Sequence, residues 1–137
     1  MLKLVLDTNT IISGLLWKRN EFQLLQEVER GNAMLFLTPP ILEEIKRVLH
    51  YPRLKSMITQ SGLTPEQLLE KIMSLSHLVV GPLIPITICR DKKDNMFLEC
   101  ALLCNADYII SGDNDLLILK EYKNIRIVPT TNILKLI

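Results

Sequence analysis

Short apolar runs alternate along the chain with longer stretches in which apolar residues recur every three to four positions. This pattern predicts strands separated by helices. Residues 2–6 form a compact strand, followed by a helix through Ile11, Ile12, Leu15 and Leu16. The amphipathic stretch 21–30 carries Phe22, Leu24, Leu25 and Val28, and Gly31-Asn32 stops it. Residues 34–37 make a second strand. Thr38-Pro39-Pro40 then supplies an N-cap and early prolines for a helix reaching His50, stopped by Pro52. A short helix is expected at 55–60, and Thr64-Pro65-Glu66-Gln67 opens another with capping-box character that runs to Ser76. Residues 78–80 form a third strand, 94–106 a helix, 108–110 a fourth strand and 125–128 a fifth.

Strands separated by helices imply a parallel sheet covered on both faces, and crossover handedness makes this a three-layer α/β/α sandwich with five parallel strands. At 137 residues, with no internal repeat or linker, the chain is expected to form one domain over 1–137. Hydrophobic residues make up 48%, enough to fill a core, while the 5% aromatic content leaves little surface for stacking bases. The formal charge of +1 gives little long-range steering. Its distribution is more telling. Between Arg90 and Asp115 acids outnumber bases, whereas the charged side chains from Lys46 to Lys55 are Lys46, Arg47, Arg53 and Lys55, all basic. Cys89, Cys100 and Cys104 are odd in number and lack C-x-x-C spacing, so they are expected to be buried small hydrophobes in a reducing compartment. No leader-like segment opens the chain and no apolar run approaches the about 18 residues of a membrane span, so a cytoplasmic location off the membrane is expected.

The candidate chemistry is acidic. Asp7 ends the first strand, and Ser111-Gly112-Asp113 follows the fourth; both loops should open on the strand C-terminal edge, where α/β sheets hold ligands. Asp7 could serve as a helix cap, unless Thr8 or Asn9 does so and frees it. Glu43 and Glu44 are separated by helical geometry. Ile41, Ile45, Val48 and Leu49 define an apolar arc; Glu43 lies opposite it, and Glu44 on its margin, partly desolvated and in want of a cation. Asp94 starts a mostly apolar helix and is the better placed of Asp91 and Asp94. Asp113 and Asp115 sit in a turn whose spacing lacks the glycine and terminal glutamate of an EF-hand. Four converging acids would raise one another's pKa values unless divalent cations neutralise them. Oxygen-only donors select Mg²⁺ or Mn²⁺, and such ions suit phosphodiester hydrolysis.

The order Val5-Leu6-Asp7-Thr8-Asn9, Ile41-Leu42-Glu43-Glu44-Ile45, Asp94-Asn95 before Phe97-Leu98-Glu99-Cys100-Ala101, and Tyr108-Ile109-Ile110-Ser111-Gly112-Asp113 resembles the PIN-domain family, with a VapC-like toxin branch as the nearest form. The resemblance spans nearly the whole chain. It implies a Mg²⁺- or Mn²⁺-dependent ribonuclease acting on single-stranded RNA, a homodimer or higher homo-oligomer, and a cognate antitoxin. By position, Asp7, Glu44, Asp94 and Asp113 would be the catalytic metal-binding acids, and Thr8, Asn9, Ser111 and Asp115 would support them. Ser111 stands where the family often has threonine. Residues 51–77 match no functional motif, and Lys46, Arg47, Arg53 and Lys55 are backbone-contact candidates from charge alone. Two other readings compete: a catalytically silent PIN-like module binding RNA or protein, and an α/β phosphotransfer enzyme with an aspartyl nucleophile served by Lys92, Lys93 or Lys120.

Overall fold

The computed structural model describes residues 1–137 throughout. A six-stranded sheet has the order β3-β2-β1-β4-β6-β5, formed by β1 (Leu2–Leu6), β2 (Ala33–Leu37), β3 (Ser76–Leu78), β4 (Tyr108–Ile110), β5 (Glu121–Tyr122) and β6 (Ile125–Val128). Every pairing is parallel except β5 with β6. Five parallel strands are therefore present as the pattern predicts, with β5 added at one edge. Leu4, Val5 and Leu6 are all fully buried, and consecutive strand residues point to opposite faces, so both faces of β1 are covered. The helices are α1 (Thr8–Leu16), α2 (Asn20–Glu29), α3 (Pro39–Leu49), α4 (Lys55–Ser61), α5 (Pro65–Leu75), α6 (Asn95–Cys104), α7 (Asn114–Leu117) and α8 (Thr130–Leu134). None is long and apolar enough to cross a membrane.

Local chemistry accounts for most boundaries. Gly31 at φ +83° ends α2, and the Thr64–Gln67 capping box opens α5, with Gln67 N donating to Thr64 Oγ1 at 3.1 Å and Thr64 N to Gln67 Oε1 at 2.9 Å. Thr38 occupies the N-cap position of α3, but its hydroxyl makes no cap bond and is buried without a partner. The third strand starts earlier than the apolar run suggests. Its register pairs Leu35 with Ser76 and Leu37 with Leu78, directly after α5. β3 is an edge strand, and His77 and Leu78 within it and Val80 after it are exposed, so apolarity there did not mark burial. The β5–β6 hairpin turns on Lys123 and Asn124, both at positive φ. All three cysteines are free and buried, as expected.

One contact sets where α2 begins relative to α1. A Cβ on Gly14 would stand 2.6 Å from Leu25 Cδ1 and 2.9 Å from the carbonyl oxygen of Glu21, so the two helices touch through the missing side chain. Gly14→Ala is expected to destabilise the fold by about 1–3 kcal/mol through overpacking, despite alanine's better helix propensity. Urea denaturation measures it; an unchanged or raised midpoint would contradict the close approach.

Candidate metal-binding active site

The strand order turns at β1, with β2 on one side and β4 on the other, and ligand crevices lie beyond the strand C-termini at such points. The backbone delivers Asp7 and Ser111 side by side there. Asp7 N donates to Ile110 O at 3.1 Å, and Ser111 N to Val128 O at 3.1 Å, so both loops leave the sheet still hydrogen-bonded to it.

Asp7 itself caps α1. Its Oδ1 accepts from Thr10 N at 2.9 Å, so neither Thr8 nor Asn9 relieves it of that task. The other oxygen accepts from the Ser111 hydroxyl, which in turn accepts from Asp113 N at 2.9 Å. A single serine thus joins the loop after β1 to the loop after β4. Asp7 is only 5% exposed. Burial raises its pKa, against the opposing hydrogen bonds from Ser111 and Thr10 and with some help from the charge of Asp113.

Asp113 caps α7 by accepting from Asp115 N at 3.1 Å. Asp94 ends a single 3₁₀ turn, Lys92–Asp94, whose cap is Asp91, accepting from Lys93 N at 3.0 Å. The carboxylate oxygens of Asp94, Asp113 and Asp115 lie within 4.8 Å of one another. Asp94 Oδ2 is buried with no hydrogen-bond partner. Its pKa is pushed up to about 7, first by burial, then by the hydrogen bond and charge of Asp113 and the charges of Asp91 and Asp7.

Glu44 is buried on α3 and Glu43 is exposed, the division the helical arc predicts. Together, Asp7, Glu44, Asp94 and Asp113 line one cavity of about 220 Å³, along with Thr8, Asn9 and Asp91. The acids are not without basic partners, however. Arg47 Nη2 donates to Glu44 Oε1 at 2.6 Å, so Glu44 already holds a cation from one turn along its own helix. Arg90 Nε lies 3.3 Å from Asp115. Of the basic run, Arg53 lines this cavity and lies over the Tyr51 ring at 5.6 Å; Lys93 joins it from the other side. Lys46 and Lys55 do not reach it.

A second cavity of about 440 Å³ opens on the other flank of Asp7 and Asp113. It is lined by Asn9, Thr10, Ser13, Glu21, Thr130 and Thr131 as well as by the acids and Ser111. Apart from Asn9 and the shared loop residues, sequence reasoning did not find this wall. The available signal was the spacing of Asn9 and Ser13, four apart on α1, with the hydroxyl of Thr10 three before Ser13.

The donors suit a hard divalent cation. They are all carboxylate oxygens, and the buried orphan oxygen of Asp94 lacks the partner that a buried charged group requires. Asp94, Asp113 and Asp115 are the closest set, and Asp7 borders them.

The PIN domain family model matches residues 3–115. An uncharacterized protein of Methanocaldococcus jannaschii is 29% identical over 123 residues, covering 88% of this chain and 76% of that protein. In fold, the chain is similar to a chain of the crystal structure of VapBC2 from Rickettsia felis bound to a DNA fragment from their promoter. That match has a TM-score of 0.58 and 11% identity, covering 92% of this chain and 97% of the other.

Because the Asp94 pKa is raised on folding, the metal-free folded state holds a proton that the unfolded chain has released between pH 3.8 and about 7. This group's contribution to stability therefore declines as pH rises through that window. Asp94→Asn removes the titration, so its melting temperature relative to wild type in EDTA should climb from pH 4.5 to pH 7.5. A pH-independent difference would contradict the buried, cation-less Asp94.

Proposed function

The chain belongs to the PIN domain family, and on that footing we propose that it is a Mg²⁺- or Mn²⁺-dependent endoribonuclease cutting single-stranded RNA. The convergence of Asp94, Asp113 and Asp115, with one buried oxygen of Asp94 left without a partner, is the observation that carries this reading. Asp94 and Asp113 would hold the cation, with Asp7 and Asp115 beside them. A divalent cation bound there would supply positive charge against the scissile phosphate and lower the pKa of a water.

The chain's own residues supply the remaining work. Ser111 and Thr10 fix the Asp7 carboxylate in one orientation, which spares the site the cost of arranging it during reaction. Arg53 and Lys93 bring positive charge to the acid-lined cavity, where a phosphate oxygen of the substrate backbone would meet them. Glu44 borders the same cavity, but its bond to Arg47 makes it the least committed of the acids to a cation. Thr8 contributes a buried hydroxyl with no partner, open to a water or phosphate oxygen. The fold likeness to a chain of the VapBC2 complex supports, by analogy, a cognate antitoxin as partner and a toxin role held in check by it.

Asp7→Asn, Asp94→Asn and Asp113→Asn should each lower Mn²⁺-stimulated cleavage of a single-stranded RNA by roughly a hundredfold or more, with native circular dichroism retained. Undiminished cleavage by Asp7→Asn and Asp94→Asn would sink the site assignment. A wild-type protein that neither cleaves RNA nor binds Mn²⁺ in calorimetry would instead be a silent PIN-like binding module.

A further inference from the structure

The two cavities flanking Asp7 and Asp113 differ in chemistry. The smaller carries Arg53, Lys93 and Tyr51. The larger has no lysine, arginine or aromatic side chain in its wall; apart from Gly112 and the ring of Pro129 it presents hydroxyls, an amide and carboxylates. A phosphate would be repelled there, and a base would find no aromatic ring, only the face of Pro129, to lie against. What such a wall can do is accept and donate hydrogen bonds at the edge of a neutral polar ring. Its volume of about 440 Å³ lies within the range of small-ligand pockets.

Glu21 is the one charged side chain in this wall that belongs to neither acidic loop. It is half-buried and takes part in none of the chain's ion pairs. The close α1–α2 approach at Gly14, which contacts the carbonyl of Glu21, places this first turn of α2 against the cavity. A carboxylate only accepts hydrogen bonds, so it selects for adjacent donors. Among the four RNA bases, guanine alone presents two neighbouring donors, N1–H and N2–H, on its Watson–Crick edge. The matching edges of adenine, cytosine and uracil each set an acceptor beside the donor, facing the carboxylate. Single-stranded RNA exposes these edges for reading.

Resting on the nuclease reading, we propose that the larger cavity holds the base of a nucleotide flanking the scissile phosphate and that Glu21 makes it select guanine. The strand would then cross the acids with its phosphates toward Arg53 and Lys93 and one base edge in the hydroxyl-lined pocket. Thr10, Ser13 and Thr131 would meet the ribose and the outer base edge.

The test uses the full chain with Mn²⁺ and a single-stranded RNA containing all sixteen dinucleotide steps, with the cut sites mapped by sequencing. Wild-type protein should cut steps carrying guanine on one fixed side of the break on the order of tenfold to a hundredfold more often than the others. Glu21→Gln and Glu21→Ala should bring that ratio close to one. In parallel, guanosine monophosphate titrated into the metal-free protein should shift the amide resonances of Thr10, Ser13 and Thr131. Adenosine, cytidine and uridine monophosphates should not, nor should guanosine monophosphate with Glu21→Gln. A preference that survives Glu21→Gln, or an equal loss of cleavage at every step, overturns the proposal; the second result would mean that Glu21 serves the cations. A Glu21 present only to complement the α2 dipole would lower the melting temperature and leave the base ratio as in wild type. Guanosine binding without RNA cleavage keeps the pocket and removes the nuclease reading. Absence of guanosine binding removes the pocket whether or not RNA is cut.

Discussion

Negative charge forced together at the carboxyl ends of β1 and β4 is the constraint on which the rest of the molecule depends. Asp7 cannot leave this edge, because its amide is bonded to the sheet and its side chain caps α1. Asp113 cannot leave, because it caps α7 and its amide is held by Ser111. Asp94 is driven against both by the burial of α6 on the sheet, with Phe97, Leu98, Cys100 and Ala101 all buried. Hydrophobic burial thus holds in place an arrangement that electrostatics opposes. The conflict appears as an Asp94 carboxyl with a pKa near 7 and one oxygen without a partner. Strongly perturbed groups in a cleft at a sheet edge are candidates for functional sites.

Positive charge relieves this conflict only at the margins. Arg47 reaches Glu44, and Arg90 reaches Asp115, each from a largely exposed position that water screens. Neither neutralises Asp94 and Asp113. The remaining charge is what the proposed cation would neutralise, while Ser111 bonds the two loops to each other. The same edge is asymmetric, with guanidinium and ammonium groups on one flank and hydroxyls with Glu21 on the other. A polyanion with neutral bases can lie across such a divide in an ordered way.

The parts of this arrangement that depend on period and strand ends were legible in the sequence. The apolar arc of α3 separated buried Glu44 from exposed Glu43, and short apolar runs located four of the five parallel strands closely. Contacts that depend on where distant side chains meet were not. The pairing of Arg47 with Glu44 follows helical spacing, but only tertiary burial of Glu44 makes it consequential. Asp115, read as a supporting residue, stands within 4.8 Å of Asp94 and Asp113 because it lies in the first turn of α7, the helix that Asp113 caps. Strand β5 escaped notice because its turn uses Lys123-Asn124 instead of a glycine-bearing pair. The short α8, which brings Thr130 and Thr131 to the larger cavity, has too few residues to show a helical period.

The central claim is that these carboxylates exist to hold a divalent cation, and anomalous diffraction from crystals soaked in MnCl₂ tests it most directly. The account predicts a manganese peak in contact with carboxylate oxygens of both Asp94 and Asp113. A fully occupied map elsewhere on the molecule with no peak between those two residues would contradict it.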